Sequence, residues 1–404
     1  MSRSSIALVN LRAFVIVIVL AFHSFLAYLA SLPPSPFPFD TAPFRWQAFP
    51  VIDSQRWLGF DLFCAWQDVG LMTLMFFLSG LFVPSSLARK GSAKFLSDRL
   101  LRIGLPYVLA VMFLAPLASY AAYRTTAADP GLEAYLRHLF ALPFWPVGPQ
   151  WFLAELLVFD AIAAMAHRFV PEWDRRLLRI GEFAGSNPLR FFFALMACSA
   201  LAYVPLVLIY SPFTWVNTGP IGFQPSRQLH YLIYFLAGAA IGAKGLDRGL
   251  LDCDGPLARR WAAWLAAAFA GFLLWAAPTS VTVADWGNAP VLAKIATGLG
   301  FVVACAAGCF CALAICLRFA DWHHRAFESL SANAYRMYLI HYVFAVWLQY
   351  ALLDAELSAI AKATIVLALT LLSSWTIAAA MGRGLELMRL DAATDGVARA
   401  RRLS

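Results

Sequence analysis

Charged residues are scarce in this 404-residue sequence, in which Asp, Glu, Lys and Arg together make up 13%. Hydrophobic residues make up 61%, and the mean hydropathy is +0.69. A soluble protein of this length needs far more charge to cover its surface. The scarcity of charge therefore excludes a soluble globular domain and predicts an integral membrane protein.

Several catalytic and cofactor-binding signatures are also missing. The sequence has no G-x-S-x-G elbow, no P-loop, no C-x-x-C pair and no dinucleotide-binding glycine pattern. It therefore gives no support for a serine hydrolase or an ATP-driven pump. Four of the seven cysteines lie in the apolar stretch 305–316 without a His, Asp or Glu among them, which favours helix packing over a metal site. We expect no metal and no permanently bound cofactor.

Ten apolar runs approach the length of about 20 residues that a helix needs to cross a bilayer. Helices must dominate, because lipid offers no partner to backbone groups. The sequence therefore predicts an all-α polytopic membrane protein, with a single transmembrane domain over residues 1–404. The predicted spans are 8–29, 69–88, 104–123, 151–169, 191–210, 229–245, 261–278, 292–317, 334–353 and 361–382. The first is expected to be a retained helix and not a signal peptide, because it lacks a small-residue cleavage site.

Positive charge is distributed unevenly about these spans. Of the 31 Lys and Arg residues, 22 fall on one side and 7 on the other, and five of the 22 lie in the tail that starts at Arg383. The more positive side is the cytoplasmic one, so both termini are predicted to be cytoplasmic. Because the basic residues scatter over six segments, the net charge of +8 indicates contact with membrane lipids and not with nucleic acid.

Residues 11–30, "LRAFVIVIVLAFHSFLAYLA", place an arginine and a histidine in an otherwise apolar helix. Arg12 and His23 are 11 residues apart, which is about 20° past three full turns and about 16 Å along the axis. They therefore share a face, with Arg12 near the cytoplasmic end. Ionisable groups at this depth usually face a bundle interior or a watery cavity. The structural alternative is a snorkelling Arg12 and a packed, hydrogen-bonded His23.

Arg99 and Arg102 lie three residues apart at the cytoplasmic start of the third span, and this spacing predicts a shared helical face. An arginine pair suits an anionic ligand, because guanidinium groups match the geometry of phosphate oxygens. The alternative is that the two residues only anchor the helix at the positive, cytoplasmic surface.

The fourth and ninth spans carry further polar candidates. Trp151 opens the fourth span on the outer side, where an aromatic ring suits a sugar face or a membrane belt. Glu155, one turn deeper, could orient a histidine, accept a hydroxyl proton or pair with an arginine. Arg336 and His341 lie about one and two turns into the ninth span and predict a basic cavity lining. A purely structural role for His341 is equally compatible.

Five stretches, in this order along the chain, resemble the acyltransferase-3 family of membrane acyltransferases. They are "LRAFVIVIVLAFHS", "FFLSGLF", "FLSDRLLRIGLPY", "QWFL" and "YRMYLIHY", and together they cover about residues 8–350. The first reads "LRAF" where the family often has "LRG". The chain length and the lack of a fused esterase domain are similar to the subgroup that contains the glucan succinyltransferases (glucan biosynthesis protein C).

The resemblance implies transfer of an acyl group from cytoplasmic acyl-CoA to a hydroxyl of an extracytoplasmic or lipid-linked glycan, in a bacterial inner membrane. It maps the family's essential first-helix histidine onto His23 and its first-helix arginine onto Arg12. The family's third-helix basic pair maps onto Arg99 and Arg102.

The residues themselves fit such a transfer. The expected acyl-CoA-binding residues are Arg12, Arg99, Arg102 and Arg336. From these arginines the pantetheine arm would extend across about half of the about 30 Å hydrocarbon core. The thioester would then meet His23. Trp151 and His341 are expected to bind the carbohydrate acceptor, and Glu155 to assist the chemistry. His23 acts either as general base or as an acylated intermediate, and we favour the base because it needs one intermediate fewer.

Two other classes stay open on the sequence alone. Ten spans with buried basic residues would also suit a secondary transporter or flippase for an anionic metabolite or glycolipid. A scaffold for a polysaccharide synthase is the third class. Acetyl and succinyl are both compatible as the acyl group, and a homo-oligomer is compatible with the sequence.

Overall fold

The computed structural model describes residues 2–403, with side chains up to residue 384, and confirms the all-α class. Its helices are α1 (Arg3–Phe25), α2 (Leu58–Gly80), α3 (Val83–Arg99), α4 (Leu105–Leu109), α5 (Ala115–Arg124), α6 (Leu132–Ala141), α7 (Trp151–Phe169), α8 (Trp173–Ser186), α9 (Pro188–Tyr210), α10 (Gln228–Ala243), α11 (Pro256–Arg259), α12 (Trp261–Thr282), α13 (Val291–Phe319), α14 (Arg325–Ala351) and α15 (Ala359–Leu403). Strands β1 (Val216–Thr218) and β2 (Ile221–Phe223) pair antiparallel. The predicted cytoplasmic side chains of Arg389, Arg399, Arg401 and Arg402 lie outside the described residues.

Seven helical stretches are long and apolar enough to cross a bilayer, which confirms a polytopic membrane protein. They are Arg3–Tyr28, Leu58–Gly80, Val83–Arg124, Pro188–Tyr210, Trp261–Thr282, Val291–Phe319 and Ala359–Gly384. The other three predicted spans correspond to α7, α10 and α14. Of these, α10 has only 16 residues. The total of ten spans, the single domain over 1–404 and the cytoplasmic termini stay predictions.

The second membrane helix lies nearer the N-terminus than the predicted span at 69–88. α2 ends at Gly80, and the chain starts a separate helix, α3, three residues later. The apolar pattern misled the prediction because Asp61 and Asp68 interrupt it. Asp61 accepts hydrogen bonds from two backbone N–H groups of the preceding loop, and Asp68 pairs with Arg227 of the loop before α10.

The third membrane helix is interrupted in three places. Gly91 has φ +71° and ψ 163°, which breaks α3 and turns the chain before it becomes helical again. Two π-helical segments follow, Leu100–Gly104 and Ala110–Leu114. Each is followed two residues later by a proline, Pro106 or Pro116. A proline lacks the N–H of the α-helical ladder and collides with the carbonyl four residues before it, so wider winding accommodates it.

The helices α1 and α13 occupy the interior of the bundle, while α12 and α15 have mostly exposed outer faces. α14 packs against both α1 and α15, and α12 packs along α13. The four cysteines of the stretch 305–316 are buried in α13, as the packing interpretation expects. No three His, Cys, Asp or Glu residues come together as a metal site in the described part of the chain.

A seam of glycines joins α2 to α10. A Cβ atom on Gly238 would collide with the carbonyl group of Phe77, and one on Gly242 would collide with that of Leu81. A Cβ atom on Gly80 would likewise collide with the backbone carbonyl group of Phe235 on α10. Small residues at such spacing let two membrane helices approach closely. The backbones of α2 and α10 are therefore in direct contact.

Replacing Gly238 with alanine is expected to destabilise the protein by about 1–3 kcal/mol, because the added methyl group pushes α2 away from α10. The measurement is the midpoint of thermal unfolding of the purified protein in one detergent. The matched control is Gly70→Ala, since a Cβ there meets no heavy atom within 4 Å. Equal midpoints for the two variants would contradict the seam.

A buried ion pair ties the loop after α1 to α15. Lys362 Nζ lies 2.8 Å from Asp53 Oδ2, and both side chains are at most 1% exposed. The backbone N–H of Asp53 donates to the carbonyl oxygen of Ala27 at 3.0 Å. The loop that follows α1 is thereby held over the end of that helix, close to His23.

Candidate active site

α1 and α14 bring two histidines into contact. His341 Nε2 lies 3.2 Å from His23 Nδ1, and the ring centroids are 5.0 Å apart. His341 is fully buried, whereas His23 is only half-buried. The sequence analysis selected both residues but on separate grounds. The structure places them in one pair.

Neighbouring carbonyl groups indicate which ring nitrogens carry hydrogen. His23 Nδ1 lies 2.9 Å from the carbonyl oxygen of Val19, and His341 Nδ1 lies 2.8 Å from that of Tyr338. Because a carbonyl oxygen only accepts, we infer that each Nδ1 carries the hydrogen of a neutral ring. His23 Nδ1–H is then shared between the carbonyl oxygen of Val19 and His341 Nε2, which is the longer of the two contacts. The Nε2 lone pair of His23 is left free to take a proton.

Gln349 of α14 fixes the backbone that carries His23. Its side-chain amide donates to the carbonyl oxygens of His23 at 2.8 Å and Ser24 at 3.1 Å. The last carbonyl groups of a helix have no partner within it, and α1 ends at Phe25. α14 therefore holds His23 twice, at its ring and at its backbone.

Two cavities lie beside this pair on the predicted outer side. One leaves room for about 20 Å³ and is lined in part by Trp46 and Ser119. The other leaves room for about 10 Å³ and is lined in part by Gln150. Tyr342 lines both cavities, and its ring lies edge-on to His23 with centroids 5.3 Å apart. Tyr342 therefore separates the outer cavities from His23.

Arg12 and Arg336 lie on the two helices that carry the histidines. The Arg12 side chain is exposed and has no ion pair or hydrogen bond to any side chain that the structure describes. Arg336 donates to Asn333 Oδ1 at 3.0 Å. Its guanidinium lies against Gly382 of α15, where a Cβ would come within 2.7 Å of Nη2. A glycine at position 382 thus leaves room for the Arg336 side chain.

Arg99 and Arg102 have different surroundings. Arg99 Nε lies 3.2 Å from Oδ2 of Asp160, a fully buried residue of α7, and its guanidinium lies 5.0 Å over the Phe95 ring. Arg102 is exposed, without an ion pair to the described residues. It belongs to the π-helical segment that follows Arg99. This winding breaks the shared face that three-residue spacing predicts for an α-helix.

Glu155 and Trp151 lie on α7, and no hydrogen bond or ring contact joins either to the histidine pair among the described residues. Glu155 is buried and accepts a hydrogen bond from the side-chain amide of Gln228, while its other oxygen has no partner among the described residues. The structure therefore pairs Glu155 with an amide and not with a histidine. Trp151 lies edge-on to Trp215, beside β1, with ring centroids 5.4 Å apart.

Sequence reasoning missed three features of this region. Asp160 balances Arg99, Gln349 holds α1, and Asp68 makes a bidentate ion pair with buried Arg227 at 2.9 and 3.0 Å. Acidic residues are costly inside membrane spans, so Asp68 and Asp160 were visible as exceptions in apolar runs. No local signal could have found Gln349, because its role depends on how α14 lies against α1.

Comparison with known proteins gives one positive finding. A family model described as an acyltransferase domain matches residues 6–379. Neither the curated proteins nor the solved structures return a match. The matched region includes the site candidates His23, His341, Arg12, Arg99, Arg102 and Arg336.

Proposed function

The chain belongs to the acyltransferase-3 family, and from this membership we propose that it carries an acetyl or succinyl group from cytoplasmic acyl-CoA to a glycan. The acceptor would be a hydroxyl group of an extracytoplasmic or lipid-linked glycan. The proposed location is a bacterial inner membrane. The subgroup of glucan succinyltransferases is the narrower form of this proposal.

The contact between His23 and His341 is the observation that carries the proposal. His23 Nε2 has a free lone pair, which takes the proton of the acceptor hydroxyl as its oxygen attacks the thioester carbonyl. The carbon–sulfur bond then breaks, and the leaving thiolate takes the proton from His23 Nε2. Throughout, His341 Nε2 accepts the Nδ1–H of His23 at 3.2 Å and so stabilises the positive ring.

Two exposed arginines support the proposed binding of the acyl-CoA donor. Arg12 and Arg102 are exposed, and neither has an ion pair within the described chain, so their charge is available to an anionic CoA end. Arg99 contributes less net charge because Asp160 lies beside it. Arg12 is about 16 Å from the level of His23 along α1, a distance that the pantetheine arm has to bridge.

The acceptor side is supported by the cavities at Tyr342 and by the aromatic pair of Trp151 and Trp215. Aromatic faces suit the apolar faces of sugar rings, and the Tyr342 ring, which lines both cavities, lies against that of His23. His341 contacts His23 directly, so we now assign it to positioning the base instead of binding the acceptor. Glu155 is assigned to the acceptor through its unpartnered oxygen.

The proposal is tested with purified protein in detergent, acetyl-CoA or succinyl-CoA, and a mixture of cell-envelope glycans. Release of free CoA thiol that depends on the glycan is the expected result, with the glycan gaining the mass of the acyl group. A transporter or a scaffold releases no thiol. Envelope glycans from a strain that lacks the protein should lose the same mass.

Arg12→Gln is expected to raise the KM for acyl-CoA by about tenfold or more with kcat nearly unchanged, because a charge-assisted contact to the donor is worth about 1.5–3 kcal/mol. The measurement compares acyl-CoA with acyl-pantetheine, which lacks the nucleotide phosphates. With acyl-pantetheine, Arg12→Gln and the unaltered protein should have the same KM. The control is Arg175→Gln, an exposed arginine of α8 already paired with Glu172 at 2.8 Å. An unchanged KM in Arg12→Gln contradicts the donor site.

A further inference from the structure

Ser92, His167 and Asp174 form a line of contacts on the predicted cytoplasmic side, far along the chain from both histidines of the candidate active site. Ser92 Oγ lies 3.0 Å from His167 Nδ1, and His167 Nε2 lies 3.5 Å from Asp174 Oδ2. The three residues come from α3, the last turn of α7 and the first turn of α8. We propose that Ser92 is a nucleophile, which takes the acyl group of an activated acyl ester or thioester.

The hydrogen-bond donors and acceptors of these three residues are arranged as a serine nucleophile requires. The Asp174 carboxylate accepts hydrogen bonds only, so it favours the His167 tautomer that carries hydrogen on Nε2. His167 Nδ1 then faces Ser92 with its lone pair. A serine beside an imidazole that a carboxylate orients is the arrangement of a Ser-His-Asp triad. Such contacts are often long before substrate binds. The 3.5 Å separation between His167 Nε2 and Asp174 Oδ2 is in keeping with this.

The pair is also accessible. Ser92 directly follows Gly91, whose φ of +71° breaks the helix, and a Cβ atom on Gly91 would meet no heavy atom within 4 Å. Ser92 itself is partly exposed, and the His167 side chain is 21% exposed. Among the described residues, a further serine–histidine contact, Ser199 with His230, has both residues at 0% exposure and is sealed from any ester.

The absence of a G-x-S-x-G elbow does not contradict this assignment. Triads occur on unrelated folds and are recognised by geometry and by the role of each residue. The inference rests on the proposed function for its natural substrate, because an acyl thioester would arrive on this side of the membrane. Lys90 and Lys94 flank Ser92, and both pair with the carboxylate of Asp98.

Acylation of Ser92 and its later hydrolysis need water as the only co-reactant. Ser92 Oγ bonds to the acyl carbon while His167 Nδ1 takes the hydroxyl proton. The bond from that carbon to the leaving sulfur or oxygen breaks, and the leaving group takes the proton from His167. The products are acyl-Ser92 and a free thiol or alcohol. Water then attacks acyl-Ser92 with His167 as base, which releases the carboxylic acid and restores the serine.

The test uses the purified full-length protein and a fluorophosphonate probe, which reacts with activated serines. We expect a covalent adduct on Ser92, located by peptide mass spectrometry. Ser92→Ala should lose it, and His167→Ala should label at least about 10²-fold more slowly. Asp174→Asn should also slow labelling. The matched control is Ser97→Ala, an exposed serine of the same helix, which should label as the unaltered protein does.

Two results would overturn the inference: no adduct on the unaltered protein, or undiminished labelling in His167→Ala. Gel-filtration elution of each variant checks that it is folded, and hydrolysis of p-nitrophenyl acetate gives a second readout for the same variants. His23→Ala should keep its adduct on Ser92. Loss of glycan acylation with intact labelling, or the reverse, therefore separates the failure of this inference from that of the proposed function.

Discussion

Replacing His23 with alanine is expected to reduce acyl transfer by at least about 10³-fold, because the reaction then loses its proton acceptor. The protein should still reach the membrane in normal amounts. The ring of His23 is half-buried and bonds only to the Val19 carbonyl and to His341 among the described residues. The measurements are glycan-dependent thiol release and the quantity of protein in the membrane fraction.

The control for this variant is His323→Ala. His323 is exposed in the loop before α14, where it lies 2.8 Å from Glu328, and it should be replaceable without loss of activity. Transfer within tenfold of normal in His23→Ala would remove His23 from the chemistry. Disappearance of the protein from the membrane would instead assign His23 to folding.

The same assay distinguishes the two roles left for His23. With the acceptor omitted, an acylated histidine releases one thiol per enzyme molecule in a burst, and the modified ring is visible by mass spectrometry. A general base gives no burst on His23. We expect no burst, because the free Nε2 lone pair can act on an acceptor hydroxyl directly. Since Ser92 could itself give a burst, the experiment is carried out in the Ser92→Ala background.

The first helix was predictable because its geometry is local. An ideal helix places Arg12 and His23 on one face from spacing alone. The partner of His23 was not predictable in this way. His341 lies 318 residues away, and its contact depends on the register of α14 against α1. The sequence could select His341 as an unusual buried residue, but its role as a neighbour of His23 required the packed bundle.

The third and second membrane helices show where local rules failed. The shared face of Arg99 and Arg102 is predicted from α-helical spacing, whereas the chain is π-helical from Leu100 to Gly104, ahead of Pro106. For α2, an apolar scan excluded the first turns because they contain Asp61 and Asp68. Both carboxylates find partners from other elements, so their cost in the membrane is compensated by contacts that no hydropathy window records.

His341→Leu is expected to lower kcat by about 10²-fold while leaving the KM for acyl-CoA unchanged. Leucine fills much of the buried space but cannot accept the Nδ1–H of His23. The Val19 carbonyl is then its remaining acceptor, so the base loses part of its orientation and of the stabilisation of its charged form. His341→Gln should recover part of the loss, because the amide oxygen can accept that hydrogen. The measurement is a full kinetic analysis with acyl-CoA and glycan each varied.

This prediction decides between the two roles assigned to His341. If His341 binds the acceptor, its replacement chiefly changes the KM for the glycan, and His341→Gln is not expected to restore kcat. A residue that positions His23 changes kcat, and the His23→Ala/His341→Leu double variant should be no slower than His23→Ala alone, because the two residues act as one unit. Additive losses in the double variant would contradict the pair and return His341 to the acceptor side.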